Sequence, residues 1–149
     1  MPTAITSTTE QEAFSAALLD FLRATRRMRG RFGDEGELSL SQYHLLEPLI
    51  DDERLATCEL AMAAGVSAPT ATRMLSGLER DGLVARVPCT ADRRVVHVAL
   101  TGEGRARVLA KRARGEALRA EIFASLSAGE RREAARLLER LAAAVEGLR

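Results

Sequence analysis

Side chains able to hold metals or attack substrates are scarce in this 149-residue chain. Two histidines, His44 and His97, and two cysteines, Cys58 and Cys89, are scattered without a recognisable ligand spacing, so a four-ligand zinc site would have to recruit carboxylates. Two cysteines are also too few for a disulfide framework. The one lysine, Lys111, follows Ala110 where a phosphate-binding loop has glycine. Gly102 and Gly104 form a Gly-x-Gly, but Arg107 stands where a dinucleotide fingerprint needs its third glycine. No base and nucleophile can be paired, so neither an enzyme nor a cofactor is expected. Aromatic residues make up 3% of the chain, Tyr43 and four phenylalanines, which is too sparse for a platform that stacks single-stranded bases.

What remains is arginine. All but one of the 22 basic residues are arginine, whose planar fork suits phosphate and guanine, although such richness can equally reflect codon bias. The net charge of +1 is not that of a nonspecific nucleic-acid coat. The charge is unevenly spread. Residues 1–53 carry 5 arginines against 10 acids, residues 54–100 carry 6 against 4, and residues 101–149 carry 11 basic against 7 acidic groups.

The elements that must position these groups can be read from periodicity and caps. The length suits one domain, which buries roughly 68–70% of its unfolded surface without needing a disulfide or metal. No apolar run approaches the ~18 residues of a membrane span, and Met1–Ser7 lacks the blocks of a signal peptide, so a cytoplasmic protein is expected. Residues 1–8 are small and polar and are expected to be disordered. Thr9 with Glu12 forms a capping box, followed by Phe14, Leu18, Phe21, Leu22 and Met28 at helical spacing, with an end near Gly30 or Gly33. Ser39 with Gln42 opens a short helix carrying Leu45, Leu46, Leu49 and Ile50, in which Pro48 is awkward.

A third helix spans Thr57 to Ala64, with Leu60 and Ala61 inward, and stops at Gly65. A fourth starts at Ser67, runs to Arg80 with Thr72, Leu75 and Leu78 on one face, and ends at Asp81-Gly82. Two helices around a short glycine-bearing turn make a helix-turn-helix. The period then changes to two. Residues 83–87 and 95–100 read as strands, joined by a polar connector from Pro88 to Arg94. A long helix follows from Glu103 to about Leu126, carrying Val108, Leu109, Leu118, Ile122 and Phe123. A Ser127/Glu130 capping box then opens a last helix with Ala134, Leu137, Leu138, Leu141, Val145 and Leu148 at core spacing.

The sum is a mainly α fold with a small β-wing: a winged helix-turn-helix over 39–100, flanked by helices at 9–33 and 103–148. The flanking helices carry apolar stripes that need a surface to cover them. A second copy of the same helices would supply it, making 9–33 and 103–148 dimerisation helices. Such a homodimer would hold two recognition helices at a fixed separation, matching half-sites of double-stranded DNA about one turn (~34–36 Å) or a multiple apart.

Four segments together resemble the MarR family of transcriptional regulators: Gly65-Val66-Ser67-Ala68-Pro69-Thr70-Ala71-Thr72-Arg73, Leu78-Glu79-Arg80-Asp81-Gly82-Leu83-Val84-Ala85-Arg86, Ala91-Asp92-Arg93-Arg94-Val95 and Leu100-Thr101-Gly102-Glu103-Gly104. The resemblance spans about Phe14 to Leu148, and its specific part runs from the second helix through the wing. It implies a homodimer that binds a pseudo-palindromic operator, usually as a repressor, with release by small aromatic compounds in many members and by cysteine oxidation in some. Carried over by position, Ser67 to Met74 lie on the recognition helix, with Ser67, Ala68, Pro69, Thr70 and Arg73 as contact positions. Arg94 approaches the minor groove and Asp92 holds the wing through an arginine partner. Tyr43 and His44 fall where an effector pocket would form.

Each assignment has a plainer competitor. Arg73 is a guanine-reading residue, the ion-pair partner of Asp92, or a simple surface arginine. Thr70 either supports its helix or contacts a phosphate or thymine methyl. Arg93 and Arg94 point opposite ways in a strand-like tip, so Arg94 is favoured for a narrow groove and Arg93 for a phosphate. The arginines at 23, 26, 27, 29 and 31 read best as a solvated helix face paired with nearby acids. Cys58 is expected as a small buried residue and Cys89 at the wing as an exposed one, with redox sensing disfavoured because the family's peroxide-sensing cysteine position in the first helix is empty. Satisfied core roles compete with the pocket for Tyr43 and His44. A reading of a different class is a winged-helix protein-interaction module that does not bind DNA, supported by the near-zero net charge.

Overall fold

The computed structural model describes the backbone of residues 4–31, 37–88 and 96–148, with side chains for 9–28, 37–88 and 96–148. The chain divides into two compact units, Met1–Ser41 and Gln42–Arg149. The first contains helix α1 (Ala4–Arg31). It starts five residues before Thr9, so the Thr9–Glu12 pair lies inside a helix instead of opening one, and residues 4–8 are helical where disorder was expected. Phe14, Leu18, Leu19, Phe21 and Leu22 are exposed along it.

The next helix, α2 (Leu40–Leu46), hands over to a 3-10 turn at Glu47–Ile50. Pro48 explains the change. It has no N–H to donate and its ring clashes one turn back, so the α-helix cannot continue. Leu45, Leu46 and Leu49 are buried here. A two-residue strand β1 (Leu55–Ala56) leads into α3 (Thr57–Ala64), whose start is closed by the Ala56 N–H donating to Glu59 Oε2 at 2.7 Å.

Helices α3 and α4 (Ala68–Arg80) both end in the same way. Gly65 has φ +64°, and its N–H and that of Val66 donate to Met62 and Ala61 carbonyls. Gly82 has φ +73°, and its N–H and that of Leu83 donate to Glu79 and Leu78 carbonyls. This paired 5→2 and 6→1 pattern requires a left-handed residue just past the helix, which glycine adopts at no steric cost. On α4, Ala71, Leu75 and Leu78 face inward. Thr72, expected on that face, is exposed and returns its hydroxyl to the Ala68 carbonyl at 2.9 Å; the smaller Ala71 takes the inward position.

Strands β2 (Val84–Pro88) and β3 (Val96–Leu100) pair antiparallel, with Val84 opposite Leu100 and Pro88 opposite Val96. The sheet has a third member that the sequence did not reveal. β1 pairs with the other edge of β3, Leu55 opposite Val98 and Ala56 opposite His97, giving the order β1-β3-β2. Residues 89–95, including Cys89, Asp92, Arg93 and Arg94, lie outside the described residues.

Helix α5 (Gly102–Ala124) begins at a tight junction. Thr101 caps it by accepting from the Gly104 N–H, donates its hydroxyl to the Gly82 carbonyl at 2.7 Å, and sends its own N–H to the Leu83 carbonyl. Val108 of α5 is fully buried, and Arg105 reaches back to the Ile50 carbonyl at 3.2 Å. The last helix, α6 (Ala128–Glu146), has the expected Ser127/Glu130 capping box and no buried residue. Serine hydroxyl and backbone N–H hold the Glu130 carboxyl below its usual range. Arg131 of α6 stacks over the Phe123 ring at 4.0 Å and donates to the Phe123 carbonyl. No helix among the described residues is long and apolar enough to cross a membrane.

Gly104 is the most closely approached of the described glycines. A Cβ there would stand 1.8 Å from the Leu83 carbonyl oxygen, which is backbone and cannot swing aside, whereas a Cβ at Gly102 would meet nothing within 4 Å. Gly104→Ala is therefore expected to cost about 3 kcal/mol or more, and Gly102→Ala to stay within about 0.5 kcal/mol of the parent, as measured by urea unfolding.

Candidate nucleic-acid interface

Five of the residues singled out above come together on the first turns of α4. Ser67 is the N-cap, its Oγ 2.9 Å from Thr70 Oγ1 and 3.4 Å from the Thr70 N–H. Ala68 and Pro69 follow in the first turn, where proline costs nothing because that N–H has no helical partner. Ser67, Ala68, Pro69 and Arg73 are exposed and Thr70 is half-buried. Arg73 pairs with no acid among the described residues. The opposite face, Ala71, Leu75 and Leu78, is sealed into the core.

This arrangement has definite chemical capacities. The small residues at the helix start let another backbone come close. The N-terminal N–H groups and their partial positive charge favour an anion. The hydroxyls of Ser67 and Thr70 bond to each other, which leaves one O–H of the pair free to donate to a further partner. Arg73 adds a fork that can read guanine or grip phosphate.

Behind α4, Arg86 of β2 donates through Nε to Glu79 Oε2 at 2.9 Å and through Nη2 to Ser76 Oγ at 3.1 Å. The sequence displays Glu79 and Arg86 in a resembling segment but nothing in their spacing reveals that they meet, because the pairing crosses the Gly82 turn. Nor does spacing reveal the Thr101–Gly82–Leu83–Gly104 junction, in which Thr101 meets a carbonyl 19 positions back.

Tyr43 and His44 sit on α2, with ring centroids 5.6 Å apart. The Tyr43 hydroxyl donates to Glu47 Oε1 at 2.5 Å. Burial, that hydrogen bond and the Glu47 charge push the phenol up to about 12, against the pull of Arg112 and Arg119. The hydroxyl thus already has a partner within its own helical segment. Cys58 is exposed in the first turn of α3, which corrects the expectation that it is buried. It falls on the solvent side because Leu60 and Ala61 occupy the inward positions of that short helix.

A core-anchored helix with an open polar face, set in a helix-turn-helix and followed by a paired-strand wing, defines the winged helix-turn-helix class. The MarR family profile matches residues 38–96. The chain is 37% identical over 106 residues to the HTH-type transcriptional repressor Rv2887 of Mycobacterium tuberculosis, covering 70% of this chain and 75% of that protein. Another curated relative is 42% identical over 73 residues, a match spanning 44% of its length. Streptococcus pneumoniae FabT, solved in complex with DNA, superposes with a TM-score of 0.76 at 22% identity, over 95% of this chain and 99% of that one. Bordetella bronchiseptica BpsR, whose structure concerns regulation of its DNA binding by 6-hydroxynicotinic acid, superposes at 0.65 with 26% identity, over 86% and 98%. The chain belongs to the MarR family of transcriptional regulators.

Tyr43 is the only tyrosine and there is no tryptophan, so phenolate absorbance reads this one group. The folded protein is expected to titrate with a midpoint of about 12 and the denatured protein about 10. Glu47→Gln should lower the folded midpoint toward the denatured value without reaching it, since burial is the largest cause. With the folded value raised, this group's contribution to stability is complete below the denatured midpoint and is lost as pH rises from there through the folded one.

Proposed function

We propose that this chain is a homodimeric, sequence-specific DNA-binding regulator, acting as a repressor on a pseudo-palindromic operator. The observation that carries the proposal is the two-faced character of α4. Its apolar side is locked into the core, and its polar side presents Ser67, Ala68, Pro69, Thr70 and Arg73 outward. A helix held rigidly on one side and open on the other fits the major groove, whose edges distinguish all four base pairs. The repressor function named for the Mycobacterium tuberculosis relative and the DNA-bound state of FabT support the same reading.

In this proposal Arg73 reads a base edge, Thr70 and Ser67 hold phosphate or a thymine methyl, Arg94 at the wing tip enters the minor groove, Arg93 contacts phosphate and Asp92 braces the tip. The dimer is supported by apolar residues with no cover, among them Phe21 at 56% exposure, Phe123 at 58% and Val145 at 67%. Burying such faces is worth roughly 25 cal/mol per Å2 of apolar surface, which favours a second copy over water. In the same proposal a small aromatic effector acts near Tyr43 and His44; the regulation of BpsR DNA binding by 6-hydroxynicotinic acid supports an effector of that class.

The test is a mobility shift on the chain's own promoter at fixed salt, since the phosphate contribution varies steeply with ionic strength. Wild type is expected to retard the fragment specifically. Arg73→Ala is expected to weaken binding roughly 5- to 150-fold, the range of one good arginine–guanine contact. Adding Arg94→Ala should weaken it further. Equal retardation by the double variant overturns the site assignment. A monomer at micromolar concentration in sedimentation overturns the dimer. Stoichiometric capture of a protein partner with no affinity for DNA points to the interaction-module reading.

A further inference from the structure

A polar cluster lies outside the junction of α4 and β2 that neither the core nor the base-reading residues use. One guanidinium, that of Arg86, is attached to the helix at two points, Glu79 Oε2 at 2.9 Å and Ser76 Oγ at 3.1 Å. Both side chains of the ion pair are 39% exposed. At that exposure an ion pair contributes about 0–1 kcal/mol. The packing of Leu78, Leu83 and Val84 and the β2–β3 ladder already hold the segment in place. Stability is therefore a poor account of the double attachment.

Direction is a better one. The link between helix and strand is the turn at Asp81–Leu83, with Gly82 at φ +73°. Burial of Leu83 and Val84 fixes where β2 leaves that turn, and Arg86 adds a second fixed point further along the strand. A planar fork bonded twice to one helix sets the direction of the strand between those points, and a flexible ammonium could not do the same.

We infer that Arg86 is a positioning residue: through Glu79 and Ser76 it fixes the angle between α4 and the β2–β3 hairpin, and so the spacing between the probe in the major groove and the probe beside it. The inference rests on the DNA-binding reading. Its competitor is that Arg86 is itself a phosphate contact, and the two differ in sign for one substitution. Glu79→Gln removes the negative charge that holds the arginine and leaves only a neutral amide oxygen to accept from it. A phosphate-contact role then gives tighter binding, and a lost brace gives weaker binding.

The experiment uses full-length wild type, Glu79→Gln and Arg86→Lys on the promoter duplex at fixed salt, with affinity, hydroxyl-radical footprint and melting temperature as readouts. Both variants are expected to bind about tenfold weaker, within the range of coupling between contacting residues. Their melting temperatures should stay within about 3 °C of wild type. Protection at the flanks of the footprint should fade while the centre stays protected. Equal or tighter binding by Glu79→Gln, or a uniform loss across the footprint, overturns the inference while the DNA-binding reading stands. Failure of wild type to bind any duplex overturns both.

Discussion

Helix α5 approaches the start of β2 so closely that the Leu83 carbonyl occupies the space a side chain at position 104 would need. Much of the fold is arranged around that contact. Thr101 satisfies the carbonyls of Gly82 and Leu83 and caps α5 in the same stroke. Those carbonyls sit where α4 has ended and β2 has barely begun, so neither element could pair them. The end of α4, the base of both long strands and the start of α5 thus converge at one place. The direction of α5 follows, with Val108 seated in the core and Arg105 tied to the Ile50 carbonyl.

Burial is unevenly distributed along the second unit. From Leu45 to Val108 every element except the half-buried β1 contributes buried apolar side chains. Past Val108, α5 and α6 bury no side chain, although their apolar residues recur at helical spacing. Length alone does not secure such a helix, because most helical stability in proteins comes from packing one face. The Ser127/Glu130 box and the Arg131–Phe123 contact fix where α6 starts, but they do not cover its face. The proposed pairing with a second copy gives that face a use, and it explains how an arm can carry a core-like pattern without a core.

Legibility in the sequence followed the range of the interaction. Helices α3 and α4 and their stops were readable to within a residue, because Ser67, Gly65 and Gly82 act on their immediate neighbours. Pro48 announced trouble in α2, and the structure resolves it as a 3-10 turn. The Ser127/Glu130 pair was read correctly, yet the same signature at Thr9 misled, because a capping pair is equally tolerated inside a helix that has already begun. Strand β1 escaped notice since two residues carry no period and its partner, Val98, lies over forty positions away. Periodicity alone could not rank Thr72 against Ala71 for the inward position, nor tell which side of α3 Cys58 would occupy. Of the proposed interface, the α4 residues were legible as a set. The Arg86–Glu79–Ser76 attachment was not, because it depends on how the chain folds back at Gly82.

The sheet order β1-β3-β2 has a consequence for how the molecule behaves in a crowded solution. A strand with a free flank can recruit a neighbour's strand and seed fibrous growth. Here the flank on one side is only two residues long. On the other, β2 finishes in a proline and carries a tethered charge at Arg86. Both are poor templates for extension by a neighbour's strand.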